Sequence, residues 1–242
     1  APTVTLASSA SSIAENAGSS LTLTATLSGT TDENVTVSIS TSGTGTEGTD
    51  YSTISDITIS AGSTTGTSSF TPSDDSIYEG NETGVIAISG VAGGGATESG
   101  TQTVTITITE NESAPTVTLT SSASSIAENA GSSLTLTATL SGAADENVTV
   151  SISTSGTGTE GTDYSTISDI TISAGDTTGT ASFTPSDDSI YEGNETGVVA
   201  ISGVSGGGAT ESGSQSVTIT ITENESAPTV TLAVSATSIA EN

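Results

Sequence analysis

The chemistry open to this chain is that of carboxylates. Its 242 residues include 28 Asp and Glu but no Lys, Arg, His, Cys, Met or Trp, for a formal charge of −28. Without His or Cys there is no Ser–His or Cys–His nucleophile pair and no zinc site of the Cys/His type. Without Lys or Arg nothing neutralises phosphates, which argues against nucleic acid and anionic membrane surfaces as partners. What remains is attraction for cations. A hard, oxygen-preferring ion such as Ca²⁺, which takes roughly six to eight oxygens from carboxylates, carbonyls and water, suits such a chain.

Carboxylates bind an ion only if folded elements bring them together, and high acidity with few aromatics can instead mean disorder. Periodicity argues for strands. Leu21, Leu23, Ala25 and Leu27 alternate with Thr22, Thr24 and Thr26, and Val104, Ile106 and Ile108 alternate with Thr105 and Thr107. This period of two, rich in β-branched residues, is that of half-buried strands, and no segment has a helical period. No apolar run approaches the ~18 residues of a membrane span, and no basic-then-apolar leader opens the chain, so a soluble, mature or internal segment without membrane insertion is expected.

The string Ala1-Pro2-Thr3-Val4-Thr5-Leu6 returns at Ala114 and again at Ala227, a period of 114 − 1 = 113 residues. The first two copies differ at nine places, among them Ala7 against Thr120, Ser63 against Asp176 and Ile86 against Val199. So long a period is one ordinary domain, not a solenoid repeat. The organisation expected is residues 1–113 as one domain, 114–226 as a second, and 227–242 as the first strand of a third. Turn-rich segments cut each copy into seven strands, in the first Thr3–Ser9, Ser20–Leu27, Val35–Thr41, Asp56–Ser60, Thr67–Thr71, Gly84–Ser89 and Gln102–Thr109. The fold class is therefore all-β, as tandem seven-stranded immunoglobulin-like sandwiches. The expected core is Leu6, Ile13, Leu21, Leu23, Val35, Val37, Ile39, Ile57, Ile59, Phe70, Ile86, Ile88, Val104, Ile106 and Ile108.

Strand direction then sorts the acids. If successive strands reverse, the connections after the first, third, fifth and seventh emerge at one pole, and nine of the thirteen acids of the first copy fall there. They are Glu15, Glu47, Asp50, Asp74, Asp75, Glu79, Glu82, Glu110 and Glu112. Two like charges 4 Å apart repel by roughly 4 kcal/mol at an effective dielectric of ~20. A group of cations that neutralises them is the reading this convergence favours over acids that merely keep loops solvated.

Three strings in order, Ser12-Ile13-Ala14-Glu15-Asn16, Gly48-Thr49-Asp50-Tyr51 and Asp74-Asp75-Ser76-Ile77-Tyr78-Glu79-Gly80-Asn81-Glu82, resemble the Calx-β domain. The resemblance spans nearly all of each copy and implies a seven-stranded sandwich that binds Ca²⁺ through these loops. Carried over residue by residue, it implies Glu15, Glu47, Asp50, Asp74, Asp75 and Glu110 as ligands in the first copy. In the second they are Glu128, Glu160, Asp163, Asp187, Asp188 and Glu223. Ser76 stands where strong calcium binders of the family carry a third consecutive Asp.

Near-identical neighbouring copies suit a spacer whose length matters more than any unique surface. The expected role is a structural repeat of an extracellular or cell-surface stalk, adhesin or filament, rigidified by Ca²⁺ at the C-terminal pole of each domain. Its partners are neighbouring repeats or copies of itself, with any surface ligand held by a domain outside this segment. A calcium-sensing or ligand-binding receptor module and a strand-complemented filament subunit are the alternatives. An enzyme is not expected, because the site is duplicated, Trp for sugar stacking is absent and no insertion forms a cleft.

Overall fold

The computed structural model describes residues 1–238, 240 and 241. The chain divides into two compact units, one of Ala1–Pro115 with Gly142–Glu146, the other of Thr116–Ser141 with Asn147–Asn242.

In the first unit the alternating segments form β1 (Thr3–Ser8), β3 (Leu21–Leu27), β4 (Val35–Gly43), β5 (Ile57–Ile59), β6 (Thr65–Phe70), β8 (Glu82–Ala92) and β10 (Thr103–Thr109). These are the seven strands expected. Three short ones join them: β2 (Ser12–Ala14), β7 (Ile77–Tyr78) and β9 (Thr97–Glu98). One sheet runs β6-β3-β1-β9 and the other β2-β10-β8-β4-β5. Their apolar faces enclose a single core. Val4, Leu6, Leu23, Ala25 and Leu27 are buried from the first sheet, and Val35, Val37, Ile86, Ile106 and Ile108 from the second. Leu21, Ile39 and Val104, expected inside, are partly buried against that core.

Two residues close the acidic end of the core. Tyr51 lies in the β4–β5 connection and stacks on Phe70, with ring centroids 4.6 Å apart. Gly84 leaves room for this pair, since a Cβ there would lie 2.7 Å from the Phe70 ring. At Ser38/Ile39 a bulge shifts the β4–β8 register, and the Asp56 carboxylate accepts the freed Ile39 N–H at 3.0 Å.

The second unit repeats the architecture. Its strands are β11 (Thr116–Ser121), β12 (Ser125–Ala127), β13 (Leu134–Leu140), β15 (Val148–Gly156), β16 (Ile170–Ile172), β17 (Thr178–Phe183), β18 (Glu195–Ser205), β19 (Thr210–Glu211) and β20 (Ser216–Thr222). The sheets run β17-β13-β11-β19 and β12-β20-β18-β15-β16. The remaining strand, β14 (Ala143–Ala144), lies within the first unit and pairs parallel with β7.

The strand expected at the start of 227–242 does not form among the described residues there. Val230 and Leu232, counterparts of the buried Val4 and Leu6, are 98% and 96% exposed. A strand is held by neighbours that take up its N–H and C=O groups, and β1 has β3 and β9. No described residue plays that part for 227–238.

Candidate metal centre

Parallel pairing places the first acids. β2 runs beside β10 with Ile13 opposite Ile108 and Ala14 opposite Thr109, so the residue after each strand emerges beside the other. Those residues are Glu15 and Glu110, and the Glu15 N–H donates to the Thr109 carbonyl at 3.0 Å. Glu112 completes a group in which one carboxylate oxygen of each residue lies within 4.8 Å of the others. Glu128, Glu223 and Glu225 form the same group in the second unit.

Glu110 is the anchor of its group. Its Oε2 accepts the N–H groups of Glu79 and Gly80, both at 2.7 Å, and its Oε1 those of Asn111 at 2.8 Å and Glu112 at 2.9 Å. Gly80 turns its N–H inward from φ +76°, a conformation that a side chain would oppose. Burial pushes the Glu110 carboxyl up, but these donors outweigh it and hold the group below the ordinary carboxylate value. Glu223 accepts the equivalent four bonds and is lowered to about 2, first by the Glu225 N–H and then by that of Glu192.

Glu15 is 6% exposed and has the opposite character. Burial first, and then the Glu110 charge, raise it to about 7, against the one N–H that Asp75 offers. One oxygen of Glu112, Oε2, is buried with no hydrogen-bond partner, and so is Oε2 of Glu225. A buried carboxylate oxygen beside other carboxylates is costly unless a cation, or a proton shared with a neighbour such as Glu110, faces it. The donor set is all oxygen and anionic, which fits a hard divalent ion and not a soft one.

A second group joins the β4–β5 connection to the strand-7 region. Asp50, Glu79 and Glu82 each bring a carboxylate oxygen within 4.8 Å of the others, as do Asp163, Glu192 and Glu195 in the second unit. Asp50 is fixed from both sides, its N–H donating to the Thr46 carbonyl at 2.9 Å and its own carbonyl accepting the Ser73 N–H at 2.9 Å. Burial and the Asp50 charge raise both Glu79 and Glu82 to about 7. Asp145, from the segment that carries β14, adds to both.

The six ligands expected in each copy thus fall into different roles. Glu15 and Glu110 share one group; Asp75 borders it through the N–H it offers Glu15, and Asp74 through its charge near Glu112, a carboxyl raised first by its side-chain hydrogen bond to Glu110 and then by burial. Asp50 belongs to the other group. Glu47 joins neither, because its two oxygens accept Thr41 Oγ1 at 2.8 Å and the Ile54 N–H at 2.6 Å and so tie the connection that carries Asp50. Glu128, Glu223, Asp187, Asp188, Asp163 and Glu160 divide in the same way. Glu79, Glu82 and Glu112 were not among the expected ligands, although all three lie at the acidic pole. The signal for Glu112 is its place two residues after Glu110, on the same short segment that follows β10.

Comparison with known proteins matches the model of one family twice, the Calx-beta domain, at residues 1–112 and 110–225. No curated protein matches. Among solved structures, the CBD12 fragment of CALX1.2 is similar at 16% identity, over 90% of this chain and 100% of that one, with a TM-score of 0.40. Invasin, described as a bacterial integrin-binding protein, is similar at 18% identity over 92% of this chain and 40% of that one, with a TM-score of 0.40. The Yersinia pseudotuberculosis adhesin InvE is similar at 13% identity over 90% and 58%, with a TM-score of 0.38.

Proposed function

The chain belongs to the Calx-beta domain family, and from that premise we propose that it is a structural repeat of an extracellular stalk, adhesin or filament whose units are stiffened by Ca²⁺. The observation that carries this reading is the buried, unpartnered Oε2 of Glu112, repeated at Glu225, in a group of half-buried carboxylates gathered on a buried one, Glu15 or Glu128. An ion there would be held by Glu15, Glu110 and Glu112, with Asp74 and Asp75 at its edge. A second would be held by Asp50, Glu79 and Glu82. The ion supplies positive charge that the sequence, free of Lys and Arg, cannot.

Function follows from where the first group sits in the chain. Glu110 and Glu112 lie on the segment that leads out of β10 toward Thr116, so drawing them onto Glu15 fixes that segment to the body of the unit. The role is mechanical. Nothing in it calls for catalysis, and the many weak sites of a repeated chain would stay filled at the millimolar calcium of extracellular fluids.

Small-angle scattering of the 242-residue chain in about 2 mM calcium and in chelator tests the stiffening. The calcium profile is expected to fit one narrow distribution of dimensions, and the chelator profile a broad one with shorter mean extension. Superimposable profiles at a concentration that saturates binding would remove stiffening from the account.

A further inference from the structure

The second unit leaves exposed what the first unit covers. In the first, β14 lies along β7 with Ala143 opposite Ile77 and Ala144 opposite Tyr78, and the Asp145 N–H donates to the Tyr78 carbonyl at 3.2 Å. Ala144 is 1% exposed, and Ile77 and Tyr78 are half-buried. The corresponding pair in the second unit, Ile190 and Tyr191, forms no strand and is 61% and 44% exposed. Sequence does not explain the contrast, because the string Asp-Asp-Ser-Ile-Tyr-Glu-Gly-Asn-Glu is the same in both. The partner strand does.

The covering segment is also where the two repeats diverge. Of their nine differences, one adjacent pair is Thr30-Thr31 in the first repeat against Ala143-Ala144 in the second. Thr30 and Thr31 form no strand. At Ala144, with almost no surface left to solvent, a Thr would bring an extra methyl and a hydroxyl into filled space. The small residue is what the close approach requires.

We propose that Ile190–Tyr191 is a docking edge for a further copy of this repeat, joined in line after the second, whose segment corresponding to Gly142–Glu146 seats on it as a parallel two-residue strand. The occupant is set by the pairing in the first unit: β7 receives a segment of the repeat that follows it in sequence, and Ile190–Tyr191 is the same surface one period later. An apolar pair flanked by carboxylates offers a stranger little, but a loop with two small residues and a backbone free to pair fits it.

Hydrogen exchange tests it on the 242-residue chain and on the same chain carrying residues 114–226 once more in register. In calcium, the Tyr191 amide of the 242-residue chain is expected to exchange about tenfold or more faster than the Tyr78 amide, while the amides of Ile77, Glu79 and Gly80 and their counterparts Ile190, Glu192 and Gly193, which donate to equivalent carboxylates in both units, serve as internal controls. In the longer chain the Tyr191 amide slows to match Tyr78. Unchanged exchange of Tyr191 in the longer chain overturns the proposal. Ala144→Pro in the 242-residue chain gives the reciprocal reading, because β14 lies outside the main sheets of both units. It should speed exchange of Tyr78 to the rate of Tyr191 and leave β3 and β6 unchanged, and no change at Tyr78 would equally count against the pairing.

Discussion

In chelator at pH 7.5 the Glu15→Gln chain melts higher than the parent chain, and in millimolar calcium it melts lower. The reversal follows from the position of Glu15. Its carboxyl is buried beside Glu110 and is raised from 4.5 to about 7, so the folded state favours its protonated form. The stability this group contributes is fully present below 4.5 and is lost as pH rises through about 7. Above that range the parent must hold a buried charge among like charges. Gln keeps the shape, and keeps an acceptor for the Asp75 N–H, without the charge. After discounting for solvent screening, the gain in chelator is about 1–2 kcal/mol, or roughly 5–10 °C. It should vanish near pH 4.5, where the parent carboxyl is neutral. In calcium the variant lacks a ligand and the order inverts. A variant that melts lower in both conditions would mean that Glu15 supports the fold directly.

Glu110→Gln behaves differently, and lowers stability with or without calcium. Both oxygens of Glu110 are in use, each accepting two backbone N–H groups. A Gln can present its oxygen to one pair only and must turn its own NH₂ toward the other. Two donors then lose charged acceptors at roughly 1.5–3 kcal/mol each, so the first unit should lose about 3–6 kcal/mol. Glu223→Gln should likewise lower the transition of the second unit and leave that of the first in place. Calorimetric traces that change only in calcium would make Glu110 a ligand and nothing more. Together the two substitutions separate an acid that exists for the ion from one that builds the loop around it.

The long strands were legible because each carries several turns of the period-two pattern, with Thr outward and Leu, Ile or Val inward. β2, β7 and β9 were not, since two or three residues hold too little pattern and their existence depends on a neighbour. The core residues that escaped notice have the same cause. Tyr51, Ile54 and Ala96 lie in connections, where only tertiary packing decides burial, and Tyr51 is inside because Phe70 and Gly84 leave it a slot.

The gathering of acids at one pole was legible from strand direction, and their division into two groups was not. That division rests on one parallel pairing, β2 with β10, and on Glu47 turning both its oxygens to Thr41 and Ile54. Neither leaves a trace in spacing. The differing surroundings of Ile77 and Ile190 were beyond any reading of sequence, because the residues around the two are identical.

Scanning calorimetry of the 242-residue chain at pH 7.5, in chelator and then in calcium at about a hundred times its dissociation constant, bears most directly on the central claim. Each filled site at that ratio adds about 2.7 kcal/mol. With one ion in each of the two groups of a unit, the account predicts that both transitions rise by on the order of 20 °C. Transitions that coincide in the two conditions would show that the acidic groups hold no calcium, and the proposed stiffening would fall with them.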